Sequence, residues 1–171
     1  AIAHVVRCFD DPDVVHVSGT VDPVRDVEVI NTELILADLQ SLEKRIGKTE
    51  KLAKGNDKEA KEELPVLQKV LTALNQGRAA RHLELTENES KILRSLTLLT
   101  AKPLLYVANL KENQSTDAEG VKALEKIAAQ EKTVVVPICG KIEAEIAELK
   151  GDDKAAFLKE MGLKESGLNR L

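Results

Sequence analysis

Two short stretches carry groups able to read a nucleotide base. Asn109-Leu110-Lys111-Glu112 follows the apolar run "PLLYVA", and Cys139-Gly140-Lys141 follows "TVVVPI". A carboxylate such as that of Glu112 accepts hydrogen bonds from the N1–H and 2-amino groups of guanine. A backbone N–H such as that of Gly140 can donate to a purine carbonyl, and an amide such as that of Asn109 both donates and accepts. The competing reading is a polar turn that closes a strand. Four residues do not choose between them. Asn56-Asp57-Lys58-Glu59 has the same N-x-x-E spacing, and there the pattern reads as a helix N-cap with its capping-box glutamate.

The elements that must position these groups follow from hydrophobic periodicity. "AIAHVVRCF" (1–9), "PLLYVANL" (103–110) and "TVVVPIC" (133–139) are near-continuous apolar runs, the pattern of buried parallel strands. "DDPD" reads as a turn and "VVHVSG" as a short strand or ordered loop. Asp22 and Pro23 then open a helix as N-cap and first residue. Ile35, Leu39, Leu42, Ile46, Thr49 and Ala53 alternate by four and three, as do Ala60, Leu64, Leu67, Leu71 and Leu74. That is a coiled-coil seam on two helices joined by the turn "KGNDK", and it predicts an antiparallel hairpin. Pro65 predicts a kink or a late start to the second helix. Thr86 to Glu89 form a capping box heading a third, short helix. Beyond Lys102 the pattern predicts helices over 117–130, capped by Asp117, and over 141–150 and 153–162. The expected organisation is an α/β sheet over 1–21 and 97–171, interrupted by a helical unit over 22–96.

Composition narrows the function classes. The 171 residues are 43% hydrophobic, 32% charged and only 2% aromatic, with a net charge of −4. Scarce aromatics argue against stacking on single-stranded nucleic acid. The negative balance argues against a broad grip on DNA, though not against a local basic patch. Such a patch exists at Lys44, Arg45, Lys48, Lys51 and Lys54, interleaved with Glu43 and Glu50; it is either a solvated coiled-coil face or a contact surface. No apolar run reaches the ~18 residues of a membrane span. Cys8 and Cys139 are read as buried free thiols in a reducing compartment, and the three histidines form no metal-ligand spacing. Two motif matches are decoys. Gly47-Lys48-Thr49 mimics the end of a P-loop, but Leu42 stands where the first glycine belongs. Asp117-Ala118-Glu119-Gly120 mimics a D-x-x-G switch, but comes too late in the order.

Open parallel sheets bind ligands at the C-terminal ends of their strands. The two candidate loops occur in the order in which Ras-like NTPases place N-K-x-D and S-A-K. Here Leu110 replaces the lysine, Glu112 replaces the aspartate, and Cys139 stands where S-A-K has serine, which makes the Gly140 N–H the expected base contact. Adenine presents an acceptor at N1 and has no 2-amino group, so an aspartate in the usual place repels it. A displaced carboxylate loses both that penalty and the reward for guanine. On this argument ATP is accepted at least as well as GTP.

"VVHVSGTVDPVRDVEVINTELILADL", "LTLLTAKPLLYVANLKE", "VVVPICGKIEAEIAEL" and "ESGLNRL" closely resemble the Obg-like ATPase family, the YchF group of P-loop NTPases. The resemblance spans essentially the whole chain. It implies a partial Ras-like, parallel-sheet P-loop NTPase domain with an inserted coiled-coil hairpin. It implies ATP or GTP as substrate, Mg2+ held outside this chain, ribosome association and a cytoplasmic location, with the basic face of the hairpin, Lys44 to Lys54, as the candidate contact surface. It also implies a catalytic role for His16, which matches a loop histidine proposed to replace the usual glutamine. The alternative for His16 is a locally bonded loop histidine. By the same resemblance, and because Ala1 lies inside an apolar run, the chain is expected to be a central piece of a longer protein. The P-loop, switches and C-terminal TGS domain would lie outside it, and the piece alone would be inactive. The rival, from another class, is a stand-alone scaffold that displays a coiled coil.

Overall fold

The computed structural model describes residues 1–10, 21–112 and 114–170. The expected turn at 10–13 and the expected segment at 14–19 lie almost wholly outside these residues. The chain divides into two compact units, one of Ala1–Val27 with Leu104–Leu171 and one of Glu28–Pro103.

The first unit holds a parallel three-stranded sheet in the order β1 (Ile2–Arg7), β2 (Leu104–Asn109), β3 (Val135–Ile138). Each strand is shorter than the apolar run that contains it. Helix α4 (Glu119–Gln130) connects β2 to β3 and packs on both. It buries Val121, Leu124 and Ala128 against Val6, Tyr106 and Ala108. Its start differs from expectation: Asp117 is not the cap. The cap position falls on Ala118, which offers no side-chain acceptor, while the Asp117 N–H bonds to Ser115 Oγ. Pro137 sits in β3, an outer strand among the described residues, where its missing N–H breaks no ladder.

Helices α5 (Gly140–Glu148) and α6 (Gly151–Glu160) complete this unit with a closing 3-10 turn, Gly167–Arg170. The buried Glu143 carboxylate accepts from Gly167 N at 2.6 Å and Leu168 N at 3.3 Å. A Cβ on Gly167 would lie 2.6 Å from Ile138 Cγ2, so only glycine fits.

His4 on β1 is buried with its ring 5.6 Å from that of Tyr106. Burial pushes its pKa below the ordinary 6.5, partly offset by the Glu131 and Asp26 carboxylates. The unfolded chain therefore takes up a proton near ~6.5 while the folded chain stays neutral. The stability tied to this group is complete above that pH and is lost as pH falls towards the folded value. The urea midpoint of the protein should drop between about pH 8 and about pH 5.5, and His4→Gln should flatten that drop. An identical pH profile in the variant would remove His4 as the cause.

The second unit is the hairpin and its base. Helix α1 (Pro23–Lys54) starts as expected, with Asp22 Oδ1 accepting from Val24 N and Arg25 N. Helix α2 (Lys58–Asn75) contains Pro65 in its interior, so there is no late start. Its N-cap is Asp57, which accepts from Ala60 N at 2.8 Å, and not Asn56. Asn56 instead takes a left-handed φ of 71° to turn the chain, the work that displaces it from the cap. Leu42, Leu67, Val70 and Leu74 are fully buried, with Ile35, Leu39, Ile46 and Leu71 packed around them. Burying each such side chain is worth roughly 1.5–3 kcal/mol.

Thr49, the end of the P-loop mimic, is 2% exposed in this seam. Its hydroxyl donates to Glu63 Oε2 at 3.1 Å, and Glu63 Oε1 takes Arg45 Nη2 at 2.7 Å. Helix α3 (Glu87–Ser95) carries the expected Thr86–Glu89 capping box. The buried Asp38 accepts from Leu99 N at 2.8 Å and Thr100 N at 2.7 Å, fixing the returning chain on α1. Lys44, Lys48, Lys51 and Lys54 are exposed. No described helix is long and apolar enough to cross a membrane.

Candidate base-recognition site

The register places Asn109, the last residue of β2, beside Ile138, the last of β3. Both strands therefore release their loops at the same level. The Leu110 N–H donates to Ile138 O at 2.8 Å and extends the pairing one step past the strand. The Leu110 side chain is 6% exposed and belongs to the apolar core, so it seats the loop.

The two loops are then joined directly. Gly140 N donates to Asn109 Oδ1 at 3.0 Å. Gly140 is the first residue of α5, and its N–H has no acceptor within the helix. Cys139, at the cap position, supplies no side-chain bond. Asn109 thus caps α5 from the neighbouring strand. A Cβ on Gly140 would sit 3.2 Å from Asn109 Oδ1, so the absent side chain is what permits this close approach. Because its N–H is given to Asn109, Gly140 is not the ready donor to a base carbonyl that the sequence suggested. The next N–H groups of the α5 first turn point the same way, at the positive end of the helix.

Glu112 Oε2 lies 2.9 Å from Lys141 Nζ, a second link between the loops. The hydrogen bond and charge of Glu112 raise the Lys141 pKa. Gln114, which the sequence gave no reason to select, staples a third strand end. Its Nε2 donates to Cys8 O at 2.7 Å, and its Oε1 accepts from Lys111 N at 2.9 Å. Cys8 N in turn donates to Asn109 O at 2.9 Å.

A cavity of about 780 Å³ opens beside these groups, lined among others by Cys8, Asp10, Lys111, Glu112 and Gln114. Its volume is within the range of small-ligand sites. Cys8 is no nucleophile there: burial, with the nearby Asp26 charge, pushes its thiol up to about 11. Cys139 is half-buried, not fully buried as expected, and both cysteines are free thiols. Among the described residues no group of three or more His, Cys, Asp or Glu could hold a metal ion. His16 lies outside the described residues.

No protein-family model matches the chain. It is 49% identical over 174 residues to the ribosome-binding ATPase YchF of Bacillus subtilis (strain 168), and 47% identical over 171 residues to that of Escherichia coli O157:H7. Both alignments cover 100% of this chain. The similarity to these YchF proteins runs along the whole chain. It spans about half the length of these relatives, 48% and 47%. The fold agrees: the structure of the Schizosaccharomyces pombe YchF GTPase matches with a TM-score of 0.83 at 28% identity, over 99% of this chain and 47% of that one. The YchF-like resemblance read from the sequence and the mixed α/β class with a parallel sheet are both upheld.

Proposed function

We propose that this chain supplies the base-recognition half of a YchF-type nucleotide hydrolase that binds ribosomes, works in the cytoplasm and accepts ATP at least as well as GTP. The observation that carries the proposal is the Asn109–Gly140 hydrogen bond. A strand-ending turn needs no bond to a second loop 31 residues away, whereas a base site needs both loops fixed relative to each other. In this reading Asn109 and Gly140 lock the loops, Leu110 anchors the first and Glu112 presents the carboxylate. Cys139 leads the second loop into the N-terminus of α5. The relatives are named as ribosome-binding ATPases and the solved structure as a GTPase, which supports the reaction class for the whole protein. No phosphate-cradling glycine loop is present in these 171 residues, so this piece alone should bind nucleotide weakly and leave it unhydrolysed.

The test is a calorimetric titration of the intact protein with each nucleotide. ATP should bind at least as tightly as GTP, because Glu112 is one methylene longer than the usual aspartate and its carboxylate is bound to Lys141, so it rewards guanine less. GTP binding tighter by about tenfold, ~1.4 kcal/mol, would overturn the assignment of Glu112.

Two further assignments belong to the same proposal. His16 orients or polarises the attacking water. The exposed lysines of α1 contact the ribosome, where local positive charge outweighs the net charge. Single-turnover hydrolysis unchanged on replacing His16 would remove the first. Ribosome co-sedimentation unchanged on reversing Lys44, Lys48 and Lys51 would remove the second.

A further inference from the structure

The Glu112–Lys141 pair is not demanded by the fold. Both side chains are well exposed, at 41% and 69%, so no buried charge has to be neutralised. Lys141 also has a carboxylate on its own helix, Glu145 four residues on, whose charge it feels. It bonds instead to Glu112, 29 residues away on the other loop. A lysine preceding its glutamate is the weaker order for a pair along a helix, which leaves Lys141 available to reach across.

We propose that Lys141 is a specificity-determining residue, acting on the base through Glu112. This rests on the base-site reading above. A lone carboxylate at the purine edge rewards guanine, whose N1–H and 2-amino group donate, and opposes adenine, whose N1 is an acceptor. Bound to the Lys141 ammonium, that carboxylate is partly neutralised and one of its oxygens is occupied. The remaining ammonium N–H groups suit adenine N1 or guanine O6. The pair thus shows the base a donor and an acceptor together, which suits either purine. The lengthened acid already weakens both the reward for guanine and the penalty against adenine; the lysine weakens them further.

The experiment measures ATP and GTP affinities of the intact protein by calorimetry at about 0.05 M and about 0.5 M salt, for the native sequence, Lys141→Met, Lys141→Arg and Asn109→Ala. Lys141→Met should shift the ratio of affinities towards GTP by about two- to fivefold, the scale of an exposed ion pair. Lys141→Arg should restore the native ratio. Salt should move the native ratio towards GTP by screening the pair, and should move that of Lys141→Met much less. A purely structural lysine would not change the salt dependence of a ratio. If Lys141→Met keeps the native ratio at both salts while Asn109→Ala weakens both nucleotides, the base site stands and the role of Lys141 is overturned. If neither substitution alters binding of either nucleotide, the base-site reading falls and this proposal falls with it.

Discussion

Asn109→Ala is expected to weaken binding of ATP and of GTP by the intact protein by about tenfold each, the cost of leaving one fixed donor without its acceptor. The loss should be equal because the bond to Gly140 holds the loops and does not touch the edge that distinguishes the purines. A stability loss of about 1 kcal/mol should accompany it, since the Asn109 side chain accepts from the first N–H of α5 in place of a cap side chain on Cys139. The two effects separate in Asn109→Asp. Aspartate keeps an acceptor for the Gly140 N–H, and its charge suits a helix N-terminus, so stability should return. If the loops need only to be tied, nucleotide binding returns as well. If the amide Nδ2 donates to the base, binding stays weak in a stable protein. Unaltered affinity in Asn109→Ala, measured by titration, would show that the loop tie has no part in binding.

Asp38→Ala is expected to destabilise the hairpin unit by about 2–4 kcal/mol, because two backbone N–H groups lose their acceptor in a dry site. Asp38 is 3% exposed, and its two oxygens take Leu99 N and Thr100 N separately. The loss should therefore not be relieved by Asp38→Asn, which turns one oxygen into a donor facing an N–H. Thr100 carries further consequences: its carbonyl accepts from Arg81 N and its hydroxyl from Ala80 N. Amide exchange at Leu99, Thr100 and Arg81 should speed up together in the variant, while Gly140 and Leu110 keep native rates. Denaturation midpoints within error of the native protein would refute the assignment.

What the sequence revealed here depended on how far each group reaches. The three strands, the hairpin seam and the Thr86 box are written in neighbours or in short periods, and each was legible. So was the pairing of the two strand-end loops, because strand ends are recognisable and parallel topology puts them on one edge. The caps of α2 and α4 were misplaced by one residue or assigned to the wrong side chain, since several polar residues precede each helix and only backbone geometry selects among them. The long-range acceptors were invisible. Asp38 meets its partners 61 and 62 residues on, and Gln114 meets Cys8 across 106. No local pattern marks such residues. A lone acidic residue on the apolar flank of a helix, as Asp38 is beside Leu39 and Leu42, is the one available signal. From the sequence Lys141 reads as the start of a helix, and its partner Glu112 on the other loop gives it a second meaning.

Glu63 makes the alignment of the two long helices a discrete quantity. It holds Arg45 and Thr49, which stand one turn apart on α1, at the same time. Sliding α2 by a single turn, about 5.4 Å, would keep at most one of these bonds and strand a hydroxyl in the seam. No intermediate offset satisfies the seam either, because the leucines interlock only at whole steps. Any change of alignment between the two helices therefore has to break the Glu63 contacts and repack the leucine seam together.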